Sequence, residues 1–358
     1  MKTLNRYLFR EVLAASALVL LAFLALFLFF DFLAEMERVG QGGYRLKHAI
    51  IFVLLTIPSR AYEILPIASL VGGLYALTQL SRHSELTVMR AAGVSTTRLL
   101  GSLMRVGVLI AVTTFVLGEY IAPPLERAAQ KWRLRSTNAS VPQELRTGVW
   151  LRDGRLFINV RRTLPDGSLE GVRIYEFDEQ HKLVRASNAA RGEYSRDAGW
   201  VLSEVQQTRF ISERKTEAEL LPSMSWQSEL TPEMLSAGLQ APERMALSNL
   251  YGYVRHLEEN QQRTGRYEVA FWKKVIYPFT ALVMLGLALP FCLGNQRSSN
   301  VSARILLGVM LGMGFYLLNG LSSNLGIINE WRPLPTAAAP SLAFLLAALF
   351  MLRWVERR

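Results

Sequence analysis

Residues 12–30 (VLAASALVLLAFLALFLFF) contain no charge. As a helix rising 1.5 Å per residue, this run covers roughly 30 Å, the hydrocarbon thickness of a bilayer. Lys2, Arg6 and Arg10 precede it, as they would in a signal peptide. The run is longer than a signal h-region of roughly 7–15 residues. It is followed by Asp31-Phe32-Leu33-Ala34-Glu35-Met36-Glu37 instead of a small-residue cleavage site. The segment therefore reads as a retained first membrane helix.

Further apolar stretches fall at 64–80, 99–123, 268–293, 302–322 and 337–352, which makes six crossings. The segment 48–57 is also apolar, but it stops at Pro58 and is too short to cross alone. It leads into the second crossing or lies along the interface. The chain as a whole is 51% hydrophobic and only 19% charged, which suits a membrane protein better than a soluble one.

The net charge of +11 could suggest nucleic acid. In a membrane protein the first explanation is arginine gathered beside helix ends on the cytoplasmic side. Arg82, Arg90, Arg98 and Arg105 lie in or beside one loop, Arg297 and Arg304 in another, and Arg353, Arg357 and Arg358 at the C-terminal end. On the opposite side, Glu330 and Arg332 cancel in the 323–336 loop. The 34–63 loop is mixed, with Glu35, Glu37 and Glu63 against Arg38, Arg45, Lys47 and Arg60. The asymmetry favours both termini in the cytoplasm.

That orientation puts a domain at 134–262 outside, between a first membrane half at 1–133 and a second at 263–358. Here turn signals recur between short runs of period-2 alternation. Asp153-Gly154 separates Trp150-Leu151 from Leu156-Phe157-Ile158-Asn159-Val160. Pro165-Asp166-Gly167-Ser168 precedes Val172–Phe177, and Asp197-Ala198-Gly199 precedes Trp200-Val201-Leu202. Short strands with frequent turns predict a β-sandwich or open barrel. A closing helix is expected near Ser248 as N-cap region, with Leu247, Leu250, Tyr251, Val254 and Leu257 on one face.

Several chemistries lack their motifs. There is no Gly-Lys pair, hence no phosphate loop for ATP, and no G-x-S-x-G elbow or H-E-x-x-H helix. Ser225 and Ser228 near Glu229 have no base placed by any motif. One cysteine, Cys292, and four scattered histidines (His48, His83, His181, His256) offer no metal-ligand spacing, so no metal is expected. Asp31, Arg105 and Glu119 sit near span ends, where side chains snorkel to water, and the span centres are clean. An ion-coupled mechanism is disfavoured; any energy should come from a separate subunit.

The loop after the second crossing, about 82–95, is the most informative short segment. Leu86, Met89 and Ala92-Gly93 at helical spacing make a short amphipathic helix ended by Gly93, with Glu85 in its first turn. On physics alone it fits a membrane-surface helix and a partner-docking helix equally.

The stretch S-E-L-T-V-M-R-A-A-G-V-S (84–95) resembles the cytoplasmic segment of the LptF/LptG permease family, the membrane subunits of the lipopolysaccharide export transporter. Other matching blocks are Gly118-Glu119-Tyr120-Ile121-Ala122-Pro123, Gly148-Val149-Trp150, and Gly265-Arg266-Tyr267 with Phe271-Trp272-Lys273-Lys274. The last two blocks are closer to the LptG branch than to the LptF branch. The resemblance runs over nearly the whole chain.

It implies an α-helical polytopic membrane protein with six transmembrane helices and an inserted periplasmic β-jellyroll-like domain. It also implies a non-catalytic subunit of an ABC transporter in the bacterial inner membrane. Such a subunit pairs with an LptF-type permease and is driven by two LptB-type ATPase subunits that bind ATP and Mg2+. Lipopolysaccharide passes from it through periplasmic β-domains toward LptC and LptA.

By the same resemblance Glu85 is the charged contact to the ATPase, with Leu86, Met89, Arg90 and Gly93 forming the docking face. Arg133 matches a family arginine facing the lipid cavity, and Arg38 a family basic position; Lys131 and Arg127 are candidates by position only. Arginine suits lipid A phosphates because it stays charged and donates in a fork, although each of these cations also fits a snorkelling role. Asp31 departs from the family where some members carry lysine. The phosphate contact there must be absent, supplied by another residue, or bridged by a divalent cation.

The first and fifth helices form the lateral gates in this family. Phe23, Phe27, Leu306, Met310, Phe315 and Leu317 lie on them as candidates for the acyl-chain cavity, and Gly308, Gly312 and Gly314 would let helices approach or slide. Alternative readings are an LptF-type subunit, a lipoprotein-release permease, a scaffold presenting a β-domain, and a membrane-embedded enzyme.

Overall fold

The computed structural model describes residues 2–137, 148–164, 168–180, 182–195, 199–212, 215–226, 228, 241–293 and 301–357. The turn residues 165–167 and 197–198, together with His181, Glu229, Arg297 and Arg358, lie outside the described residues. The helical elements are α1 (Lys2–Met36), α2 (Leu46–Arg82), α3 (Glu85–Ala91), α4 (Thr96–Val116), a π-turn (Leu117–Ile121) and α5 (Ala122–Thr137). Strands β1 to β6 follow. Then come α6 (Leu247–Glu259), α7 (Gly265–Leu293), α8 (Val301–Ile328) and α9 (Pro333–Glu356). Six helical stretches are long and apolar enough to cross a membrane, which makes this a multi-pass membrane protein.

Two helices run further than the sequence predicts. Pro58 does not end the second: α2 is continuous over 37 residues, with Pro58 and Pro66 inside it. Arg60 and Glu63 therefore stand on a helix and not in a loop. Pro58 and Pro66 leave the Leu54 and Tyr62 carbonyls without their helical N–H donors, a loss a membrane helix tolerates where its neighbours pack against it. The Thr56 and Ser69 hydroxyls bond the nearby Val53 and Pro66 carbonyls, at 2.9 Å and 2.7 Å. The third crossing likewise continues through the π-turn as a helix from Thr96 to Arg133.

The chain divides into two units. One comprises Met1–Val39, Arg45–Gln130 and Gly265–Arg358; the other comprises Gly40–Tyr44 and Lys131–Thr264. In the helical unit, the buried core joins α1, α2, α4 and α7 through Leu8, Val12, Leu74, Leu77, Leu103 and Leu285. Glycines set the helix spacing. A Cβ on Gly72 would overlap the Ser16 backbone, and one on Gly107 would come within 2.8 Å of Leu282. Of the three glycines expected to admit close approach on the fifth crossing, Gly308 packs on Leu74 and Gly312 on Ile67, while Gly314 faces open space.

In the other unit, β1 (Val149–Asp153), β2 (Leu156–Thr163), β3 (Leu169–Phe177), β4 (Leu183–Ser195), β5 (Gly199–Ser212) and β6 (Lys215–Trp226) form one antiparallel sheet. Its order, 1-2-3-4-5-6, is a meander. The expected turn at Asp153-Gly154 is a hairpin in which Asp153 faces Leu156 across two residues, with Gly154 at φ +57°.

The buried face of this sheet changes parity along a single line. Leu169 is buried before Gly171 and Val172 and Ile174 after it; Ala189 switches to Gly192, and Leu202 to Val205. The pairs Glu170↔Arg191 and Val172↔Ala189 put Gly171 opposite Ala190. The neighbouring registers carry the line on to Glu204 and Pro222. Gly171 (φ +66°) and Glu204 (φ +54°) are both left-handed, and Pro222 has no N–H for the ladder. A sheet that exchanges its faces at a row of such residues turns a corner, and one sheet can then enclose a core from two sides. Trp200, Leu202, Ile158 and Val172 fill that core.

The closing helix is rotated from its expected face. Its buried residues are Leu250, Tyr253, His256 and Leu257, Tyr251 is exposed, and the N-cap is Ala246, not Ser248. The Leu250–Tyr253–Leu257 spacing continues the buried Ala246, which sets the stripe one step from the aliphatic count.

The corner is testable at Gly171, where an added Cβ would lie 2.9 Å from the Arg161 side chain on a left-handed backbone. Gly171→Ala should destabilise the β-domain by about 1–3 kcal/mol. In the full-length protein this appears as faster protease cleavage within 149–226; unchanged cleavage would show that the corner does not depend on this glycine.

Candidate functional site

The α3 segment is built by its ends. Ser84 enters it in the left-handed conformation at φ +61°. At the other end Gly93 (φ +83°) donates to the Arg90 carbonyl at 3.0 Å and Val94 to the Met89 carbonyl at 3.1 Å. These two bonds are the Schellman pattern, which needs the left-handed residue that glycine supplies. Leu86 is fully buried in the chain's own helical core, and Met89 and Val94 pack against it. The helix is therefore held by this chain before any partner is considered. Leu86 faces inward; Thr87, Val88, Arg90 and Gly93 face outward. The Tyr7 hydroxyl of α1 lies beside the Glu85 carboxylate, within hydrogen-bonding reach.

A second polar cluster gathers near the far end of α1. Asp31 accepts from Arg60 Nε and Nη2 of α2, both at 2.7 Å, a bidentate ion pair. Arg60 Nη1 donates to Glu63 at 3.0 Å. Tyr277 of α7 donates to the Glu63 carbonyl at 2.6 Å and its ring lies 4.8 Å from that of Tyr62. Tyr62 in turn packs on Gly118 of the π-turn, where a Cβ would come within 2.5 Å of the ring. The buried Glu126 of α5 accepts from Ser59 at 3.1 Å and from Gln130 at 3.2 Å. Sequence reading noticed Asp31 but missed Arg60, because its partner is 29 residues away on a stretch read as loop.

The other candidates are dispersed. Arg38 is tied to Glu35 at 2.8 Å within its own turn. Arg127 Nε donates to the Pro123 carbonyl at 3.3 Å, one turn back on α5. Lys131 is exposed and Arg133 half-buried, both in the second unit. On α1 and α8, Phe27, Leu306, Met310 and Leu317 are exposed and Phe23 is half-buried. Phe315 is not open to a cavity: it is 3% exposed and packs edge-on against Phe344 of α9 at 5.3 Å. Its neighbours at 312 and 308 face α2, so residue 315, one turn on, shares that inward side.

Comparison with known proteins matches residues 6–354 to the family described as Lipopolysaccharide export system permease LptF/LptG. The chain belongs to this family. It is 33% identical over 351 residues to the lipopolysaccharide export system permease protein LptG of Haemophilus influenzae, covering 98% of each chain. It is 29% identical over 350 residues to LptG of Escherichia coli K12, covering 98% of this chain and 97% of that one. Membership of the LptF/LptG family accounts for the whole layout of six helices and an inserted β-domain, since the match leaves neither unit out.

The ion pair at the end of α1 gives a direct test. Asp31 and Arg60 are both partly buried, and the two-bond geometry favours a real contribution over that of an exposed pair. A double-mutant cycle on Asp31→Ala and Arg60→Ala, read by denaturation in detergent, should return a coupling of about 1–2 kcal/mol. Additive losses would mean that the pair contributes nothing to the solubilised protein.

Proposed function

We propose that this chain works as the LptG-type transmembrane subunit of an ABC transporter. That transporter extracts lipopolysaccharide from the inner membrane and passes it to a periplasmic bridge toward the outer membrane. The observation that carries this reading is the end-to-end match to two LptG permeases with no unit left over. Both termini and α3 lie in the cytoplasm and the β-domain in the periplasm, supported by the arginine excess beside the α3 loop and the C-terminus.

An LptF-type permease covers the gate helices. Only 17% of the apolar window of α1 and 22% of that of α8 is buried within this chain, against 56% for α7. Two LptB-type subunits bind ATP and Mg2+ and hydrolyse the nucleotide; the chain itself is non-catalytic. Glu85, Arg90 and Gly93, with Val88 beside them, meet the ATPase, while Leu86 and Met89 anchor the helix from within and transmit its movement to the core. Arg133, Lys131, Arg127 and Arg38 supply cations for lipid A phosphates. Phe23, Phe27, Leu306, Met310 and Leu317 provide apolar surface for acyl chains. The β-domain hands lipid to LptC and LptA by sheet-edge contact.

Two measurements bear on this. Glu85→Arg should weaken retention of the ATPase by about tenfold or more and depress export, as expected for reversing a contact charge. If assembly and export were untouched, the coupling role would be wrong. Arg133→Glu should lower photo-crosslinking of lipopolysaccharide about tenfold; unchanged crosslinking removes that residue from the lipid path.

A further inference from the structure

A cleft of about 300 Å³ opens between the first turns of α1 and the start of α4, lined by Leu4, Asn5, Leu8, Leu99, Arg98 and Arg105 among others. Its walls divide by chemistry. Leu4, Leu8 and Leu99 form an apolar side, while Arg98, Arg105 and Asn5 offer nitrogen donors. Ser102 donates to Asn5 Oδ1 at 2.7 Å, which leaves the Asn5 amide nitrogen as a donor. Arg98 and Arg105 are seven residues apart on one helix face, about 10 Å along the axis.

Neither arginine takes part in a salt bridge among the described residues. The nearby carboxylates Glu11 and Glu85 gather round Tyr7. Helical periodicity sets Tyr7 about 200° round α1 from Asn5, but Glu11, seven residues from Leu4, falls within about 20° of it on the cleft side. Glu11 is in no salt bridge with either arginine among the described residues. Arg105 stands about 13 Å along α4 from Thr96, flanked by the buried Leu103 and Val106. A guanidinium at that depth in a spanning helix is costly unless it finds an anion or reaches the interface.

We infer that this cleft binds the phosphodiester headgroup of an anionic phospholipid, with Arg98 and Arg105 on the phosphate and the leucine wall against the first carbons of the acyl chains. Basic pockets between spanning helices suit anionic lipid headgroups. The apolar wall favours an amphiphile over free phosphate. The site lies at the α3 end of the helices, far along α1 from Asp31, and is separate from the proposed lipopolysaccharide contacts. Val94 both lines the cleft and closes α3 by its bond to Met89, so a bound lipid steadies the base of that helix. Only the choice of the cytoplasmic leaflet rests on the orientation proposed above.

The test is titration of fluorescent phosphatidylglycerol into the full-length protein, purified with its accompanying subunits in neutral detergent. Arg98→Gln with Arg105→Gln should weaken binding about twenty-five-fold, roughly fivefold for each cation. The paired lysine variants should keep most of the affinity, and Arg353→Gln, on α9 outside the cleft, should match the wild type. Phosphatidylcholine and inorganic phosphate should compete poorly. Equal affinity of the glutamine variant and the wild type overturns the proposal. Competition by inorganic phosphate as strong as that by lipid overturns it in favour of a free anion. Loss of a copurifying subunit with lipid binding unchanged overturns it in favour of an acidic protein surface. Labelling of Thr97→Cys by impermeant maleimide in intact cells would overturn the placement of the site in the cytoplasmic leaflet.

Discussion

Inside a bilayer an apolar helix gains no hydrophobic energy by exchanging lipid for another helix, so close fit and a few polar contacts must hold the bundle. In this protein both devices converge on α2. Gly72 admits the backbone of α1 at Ser16, and Gly73 meets Leu285 of α7; Leu74 and Ile67 receive Gly308 and Gly312 of α8. The polar contacts cluster near the middle of the same helix, just after Pro58, where Ser59, Arg60 and Glu63 reach α5, α1 and α7. The central position of α2 also explains why α3 is fixed: it follows α2 after two residues and drops Leu86 into the same core.

How far the sequence discloses this depends on whether a feature is local. The 12–30 run is legible because length and absence of charge suffice for a crossing. The Asp153-Gly154 hairpin is legible because a two-residue turn demands a left-handed glycine. The length of α2 is not, because Pro58 carries the same meaning in a loop and in a membrane helix until its neighbours are known. The sheet corner is hidden for a similar reason. Glu204 is left-handed with no compositional sign of it, and the row from Gly171 to Pro222 exists only once the strands are in register.

The α3 segment shows the same division at the scale of a site. Its C-terminal end could be read from Gly93, since few other residues adopt that conformation readily. Its apolar face could be read too, since Leu86 and Met89 at helical spacing are the residues the core receives. What a seven-residue segment does not disclose is whether that face meets a partner or the chain's own core. Val88 lies about 200° round from Leu86. The structure buries Leu86 and leaves Val88 64% exposed. Apolar surface left outward on a helix already anchored from the other side is what a docking element requires.

Asp31 sharpens the question of phosphate recognition. Arg60 has five N–H donors, and its bonds to Asp31 and Glu63 use three of them. Two carboxylates thus share one guanidinium. In the proposed reading, a lipid A phosphate arriving at this end of α1 meets Asp31 where some family members carry a lysine. It must displace Asp31 and break two charge-assisted bonds before gaining any of its own. In that reading the phosphate contact at this place is absent, comes from another residue, or is bridged by a divalent cation. The pair holds α1 against α2, and any movement of α1 away from α2 has to break it.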